Sequence, residues 1–256
     1  MTMNLAAPAA HLGLVVLEDL DAPIEFSYAF QPIVDTAARE IVSHEALIRG
    51  LRDEPALAVL ARVPPKALYR FDAISRSAAI ALAARLSLPC RLNVNFLPKS
   101  LLASPDALNS TLDAAVRHGL PINRLVLEVS EREAIDDLAH FARTINECRG
   151  RGLRVAIDDF GAGHSALNLL AEFQPDEIKL DMALIRGIER HGPRQSIVRA
   201  IRSVCLDLGI GVVAEGVETA EEYRWLSAQG IHLFQGYLFA RPAFAELAKV
   251  CFPPVE

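Results

Sequence analysis

Residues 26–49, FSYAFQPIVDTAAREIVSHEALIR, decide how the chain begins to fold. Two β-rich runs, Phe26–Val34 and Glu40–Arg49, are separated only by Asp35-Thr36-Ala37-Ala38-Arg39. A parallel crossover needs a dozen or more residues, so this pair is predicted to be an antiparallel hairpin. Further strand-like runs follow at Arg91–Phe96, Arg124–Val129, Leu153–Asp158, Glu177–Leu180, Gly211–Ala214 and His232–Leu238, which makes eight. Helix-like stretches separate most of them. Tyr69–Leu86 and Ser100–His118 are rich in Ala and Leu, and Arg132–Arg149 repeats apolar residues at helical spacing (Ala134, Leu138, Phe141, Ile145). Thr219 with Glu222 reads as a capping box opening another helix, which Gly230 ends. Strands alternating with helices predict parallel βα units after the hairpin.

The 256 residues match the roughly 250 of one (β/α)8 barrel. Residues 1–23, MTMNLAAPAAHLGLVVLEDLDAP, read as a loose or partly helical lead-in, and 24–256 as a single domain. That opening has no basic start, and acids break its apolar run, so no signal peptide is expected. The Ala-rich stretch 78–84 lies between arginines and is far shorter than a membrane span. Apolar residues at 52% and charged residues at 23% describe an ordinary globular chain. Its net charge of −6 and lack of a Lys/Arg cluster argue against a duplex nucleic-acid partner. Four scattered cysteines without a CxxC fit neither a zinc knuckle nor a disulfide framework, and point to the reducing cytoplasm.

The strands carry polar residues where a parallel core should be continuously apolar. Glu45, Asn95, Glu128, Asp158, Asp159, Lys179, Glu215 and Gln235 fall on or just after successive strands, commonly near the C-terminal end. In a barrel those ends converge on one mouth. Taken singly, an acid at a strand end is ordinary surface. Five carboxylates brought together would repel and protonate unless cations held them. Oxygen donors without Cys or an obligatory His suit Mg2+ or Mn2+ rather than zinc. The neighbours Asp158 and Asp159 could serve two ions, the usual arrangement for clamping an in-line phosphoryl displacement. The residues by themselves thus indicate a two-metal hydrolase on a barrel, acting on an oxyanion substrate.

The strings FQPIV, EALIR, LNVNF, LVLEVSERE, AIDDFGAGHSAL, IKLD, VVAEGVET and FQGYLFARP resemble, in order, those of EAL-domain cyclic di-GMP phosphodiesterases. The likeness runs from about Tyr28 to Pro242, and the run 160–188 is similar to the branch associated with blue-light-sensing BLUF domains. The resemblance implies an atypical TIM-like (β/α)8 barrel with one antiparallel strand, in agreement with the hairpin. It implies hydrolysis of cyclic di-GMP to linear pGpG with two Mg2+ or Mn2+ ions. By this likeness Glu45, Asn95, Glu128 and Asp158 are ligands of the first ion, and Asp158, Asp159 and Glu215 surround the second. Lys179 orients the attacking water, Glu215 helps to accept its proton, and Glu45 belongs to the same catalytic group. Gln31, Leu47, Arg49, Glu218, Phe234, Gln235 and Pro242 match positions that hold phosphates and guanines. Glu131 and the loop Gly161-Ala162-Gly163-His164 match a regulatory segment that links activity to a homodimer. Ala162 and His164 depart from the commoner DDFGTGYSS. A separate sensor or regulatory protein is a further implied partner, and a catalytically silent receptor or interaction module is the alternative.

Overall fold

A computed structural model describes residues 13–17, 23–104, 106–130, 135, 137–162, 170–171 and 173–253. Strands β1 (Val15–Leu17), β2 (Ile24–Asp35), β3 (Glu40–Arg49), β4 (Arg91–Asn95), β5 (Leu125–Ser130), β6 (Arg154–Phe160), β7 (Glu177–Leu180), β8 (Gly211–Ala214), β9 (Leu233–Phe234) and β10 (Ala243–Phe244) form one sheet. Between them run α1 (Ala56–Leu60), α2 (Leu68–Arg85), α3 (Ser100–Ala103), α4 (Ala107–Arg117), α5 (Leu138–Arg149), α6 (Met182–Ile185), α7 (Gly192–Leu208) and α8 (Ala220–Ala228).

The sheet closes on itself. β2 and β3 are antiparallel, β3 through β9 are parallel, and β9 returns antiparallel to β2 through Val34↔Phe234. All eight runs read as strands therefore become the eight staves of the barrel, with β2 as its antiparallel one. Closure leaves β2 without a free edge along its barrel portion, which is why nearly all of its residues are buried. β10 pairs with Phe30 and Ala29 of β2. Apolar packing surrounds the barrel in two masses, one between β1–β6 and α2, α4 and α5, the other around β7–β9 and α6–α8.

Helix ends follow local chemistry. Asp137 caps α5 by accepting from the His140 amide at 2.8 Å. The capping box of Thr219 and Glu222 opens α8, and Gly230, at φ 79°, follows its end. α7 starts with Pro193 in its first turn and stops at Gly209 in the left-handed region.

Four expectations are corrected. The lead-in contains a strand, since Val15 and Leu17 are buried where β1 pairs with β2. Three residues are too short a run for alternation to be read from sequence. The last barrel strand covers only Leu233–Phe234, because Gly236 passes directly against the Val217 backbone and the chain turns there. The helix expected over 100–118 divides at Ser104, whose backbone is extended. α5 begins at its Asp137 cap, and residues 131–134 and 136 lie outside the described residues.

His44 points away from the barrel interior, 1% exposed, with Nδ1 3.3 Å from Cys90 Sγ. Burial holds its imidazole down, from the usual 6.5 to about 4. The unfolded chain takes up this proton near pH 6.5, whereas the folded chain resists it until about pH 4. Its contribution is thus complete above pH 6.5 and is lost as pH falls through that window, by up to ~3 kcal/mol. Urea titrations at pH 7 and pH 4.5 should show His44→Leu losing less stability between the two than the parent. Parallel losses in both proteins would refute the assignment.

Candidate active site

Each parallel strand delivers a side chain to the mouth at its C-terminal side. Glu45 comes from β3, Asn95 ends β4, Glu128 lies in β5, Asp158 and Asp159 in β6, and Lys179 in β7. Glu215 follows β8 and Gln235 follows β9, while Gln31 of the antiparallel β2 stands opposite Glu45.

β6 presents two consecutive acids because its register with β7 shifts, Ile157 pairing with Ile178 and Phe160 with Leu180. One extra residue on β6 breaks the alternation that would send neighbours to opposite faces. Asp159 takes the strain of this bulge at φ 56°, an uncommon value for a residue with a Cβ. Its amide donates to Asp158 Oδ1 at 2.9 Å, and Ser130 Oγ donates to its carboxylate at 3.4 Å.

Lys179 is the hub. Its Nζ lies 2.6 Å from Glu215, 2.7 Å from Glu128, 3.0 Å from Glu45 and 3.2 Å from Asp158. Burial works against its charge, but the acids Asp158, Glu128, Glu215 and Glu45 outweigh it and hold the ammonium well above its usual pKa. One cation cannot ionise four acids equally. Burial, with the charge of Glu45, pushes Glu128 well above the carboxylate range despite Lys179. Burial, with Asp158 and Glu45, does the same to Glu215. Glu45 goes the other way. Burial would raise it, yet Lys179 and the hydrogen bond from Gln235 Nε2 at 2.8 Å leave it below its usual value. Asn93 donates to Glu128 Oε1 at 2.8 Å, while Glu128 Oε2 is buried with no hydrogen-bond partner among the described residues.

These features fit a divalent cation. Glu45, Glu128 and Asp158 each offer an oxygen, all within 4.8 Å of one another. The orphaned Glu128 oxygen and the surplus of negative charge both call for positive charge beyond one ammonium. The donors are all oxygen, which suits Mg2+ or Mn2+. Asn95 is exposed at the mouth, its Nδ2 3.5 Å from Glu45 Oε1.

Beside the cluster lies a cleft of about 240 Å³ lined by residues that include Gln31, Glu45, Asp159, Glu215, Glu218 and Gln235. Gln31 is held by Ala240 O at 3.3 Å and receives Gln235 Nε2 at 3.4 Å. Glu218 is paired with Arg186 at 2.8 Å. Leu47 and Arg49 continue the Glu45 face of β3, and Arg49 lies 3.4 Å from Asp53. Pro242 precedes the β10–β2 pairing at Phe30. Phe234 is different, since its ring is fully buried against Tyr223 and Phe239, behind the cleft wall. Gly161 and Ala162 are exposed in the turn after β6, whereas Glu131, Gly163 and His164 lie outside the described residues.

The site contains residues that were not singled out from sequence. Buried Asn93 orients Glu128, and its only signal was a face shared with Asn95. Asp181 lines the cleft and caps α6 by accepting from the Ala183 amide at 2.6 Å. Tyr237, 48% exposed, lines the cleft with the Arg241 guanidinium 4.1 Å from its ring centroid. Its signal in the sequence is its place in the string FQGYLFARP. Gly236 shapes that wall, because a Cβ there would strike backbone atoms of Val217. Gly236→Ala is expected to cost about 1–3 kcal/mol, and an unchanged melting temperature would contradict that packing.

The class so defined is an acid-mouthed (β/α)8 barrel built to hold divalent cations beside an open cleft. The chain belongs to the EAL domain family, whose profile matches residues 17–242. It is 36% identical over 235 residues to the blue light- and temperature-regulated antirepressor BluF of Escherichia coli, covering 91% of this chain and 58% of BluF. It is 30% identical to the probable cyclic di-GMP phosphodiesterase PdeN of Escherichia coli, over 85% of this chain and 43% of PdeN. Klebsiella pneumoniae BlrP1, solved with manganese and cyclic di-GMP, superposes with a TM-score of 0.86 at 41% identity, covering 94% of this chain and 62% of BlrP1. The chain thus spans about half the length of these two curated relatives. Among the described residues no helix is long and apolar enough to cross a membrane.

Proposed function

We propose that this chain is a cyclic di-GMP phosphodiesterase that uses two Mg2+ or Mn2+ ions to open the cyclic dinucleotide to linear pGpG. The observation that carries this reading is the convergence of Glu45, Glu128, Asp158 and Glu215 on Lys179, with the spare Glu128 oxygen beside it. Glu45, Asn95, Glu128 and Asp158 would hold the first ion, and Asp158, Asp159 and Glu215 the second. Such ions, when bound, polarise a phosphoryl oxygen and acidify water. The chain's own groups do the rest. Lys179 positions the water and offsets charge developing on the phosphoryl oxygens. Glu215, 2.6 Å from Lys179 Nζ, would take the water's proton once bound cations hold it as a carboxylate. Arg49 offers a guanidinium to phosphate, and Gln31, Glu218 and Gln235 address the rest of the nucleotide. The relatives named for cyclic di-GMP support this substrate.

The same reading places the protein in the cytoplasm, consistent with its four free cysteines. It includes a homodimer formed near the segment after Asp159 and a sensor or regulatory partner, both supported by family resemblance. Incubating purified protein with cyclic di-GMP and Mn2+ should yield pGpG, and EDTA should stop it. No product under either metal, with nucleotide binding intact, would favour a second reading. That alternative is a silent receptor or interaction module, favoured by the likeness to an antirepressor.

A further inference from the structure

Asp72 and Arg76 form an ion pair one turn apart on α2, and Arg76 is 1% exposed. The proposed chemistry does not use it, and desolvating such a pair costs more than it returns unless further partners satisfy it. Those partners are specific. Arg76 Nε donates to Thr111 Oγ1 at 2.9 Å, and Nη2 donates to Ala107 O at 3.3 Å, both on α4. Its guanidinium lies over the Phe96 ring, 4.7 Å from the centroid. Burial raises the Asp72 carboxyl above its usual value, and Arg76 and then the Leu97 amide act against that rise. Phe96 and Leu97 directly follow Asn95.

That position matters because β4 loses its neighbours there. The β3–β4 ladder ends at Glu45↔Asn93, and the β4–β5 ladder ends at Asn95↔Glu128. One further bond, from Phe96 N to Glu128 O at 2.9 Å, holds the β5 side. The β3 side of Asn95 has no ladder. Its backbone direction, and so the aim of its carboxamide, depends on what grips the next two residues.

We propose that Arg76, held by Asp72, is a positioning residue for Asn95, clamping Phe96 so that the carboxamide faces the Glu45–Glu128–Asp158 cluster as a cation ligand. This rests on the ligand role proposed for Asn95. Groups that orient metal ligands commonly matter about 10–100-fold in affinity. A pair that merely staples α2 to α4 would instead affect stability alone.

The test is Mn2+ binding to the metal-stripped protein, read by electron paramagnetic resonance of the free ion. Phe96→Leu removes the ring without stranding a charge. Asp72→Leu with Arg76→Met removes both charges, a replacement that often leaves stability unchanged or improved. Each is expected to weaken Mn2+ binding about tenfold or more. Added to Asn95→Ala, Phe96→Leu should weaken it no further, because both act through one ligand. Folded Phe96→Leu with parent-like Mn2+ affinity overturns the proposal, as does full additivity with Asn95→Ala. A parent protein that takes up no Mn2+ fails in a different place, because it removes the two-ion reading itself.

Discussion

Replacing Lys179 with methionine is expected to lower the stability of the metal-stripped protein by about 3–5 kcal/mol at pH 7. Four acids surround its ammonium within 3.2 Å, and two of them, Glu128 and Glu215, are already raised well above the carboxylate range with Lys179 in place. Without it, Glu45 loses the charge that opposes its burial. The cluster must then take up protons or expand. The penalty should shrink as pH falls and the acids protonate, and added Mn2+ should recover part of it by mass action. Cyclic di-GMP turnover should fall by about 10²–10³, the usual cost of removing a group aimed at developing charge. Thermal melts with EDTA and with Mn2+, beside a turnover assay, check both effects. An EDTA-treated variant that melts with the parent would mean the acids are not held together by this lysine.

The second large effect is expected at Glu45→Ala. Its carboxylate receives Lys179 at 3.0 Å, Gln235 at 2.8 Å and Asn95 at 3.5 Å, and it shares the oxygen cluster with Glu128 and Asp158. Of the four acids around Lys179, Glu45 is held below its usual pKa, by Lys179 and Gln235 against its burial. It is therefore prepared, unlike Glu128 and Glu215, to meet a cation as a carboxylate. Losing it should reduce kcat/KM by about 10³, several kcal/mol of transition-state stabilisation. Mn2+ affinity should fall with it, while the fold persists, because Lys179 keeps Glu128, Asp158 and Glu215 as partners. Turnover above a tenth of the parent's would remove Glu45 from the catalytic group. Parallel calorimetry with cyclic di-GMP separates a lost reaction from lost nucleotide binding.

The sequence was most informative where it broke its own pattern. A charged group in an otherwise apolar strand is costly, so Glu45, Glu128, Asp158 and Lys179 stood out without any coordinates. The five-residue junction before Glu40 settled the hairpin, because chain length alone forbids a crossover there. Helix caps such as Thr219 with Glu222 were equally legible, since both partners lie within one turn.

Other parts of the molecule depend on residues far apart in the chain. The bulge that brings Asp158 and Asp159 to one mouth exists only in the register of β6 against β7. The opposite pKa directions of Glu45 and of Glu128 and Glu215 follow from burial, from the charges around them and, for Glu45, from Gln235, which lies 190 residues away. The contact of Arg76, paired with Asp72, on Phe96 joins a helix to the turn after β4. A sequence states which groups cannot rest in an apolar strand. Which of them share a field and a hydrogen bond is set when the barrel closes, because electrostatic energy depends on separation in space and on the water excluded between the groups.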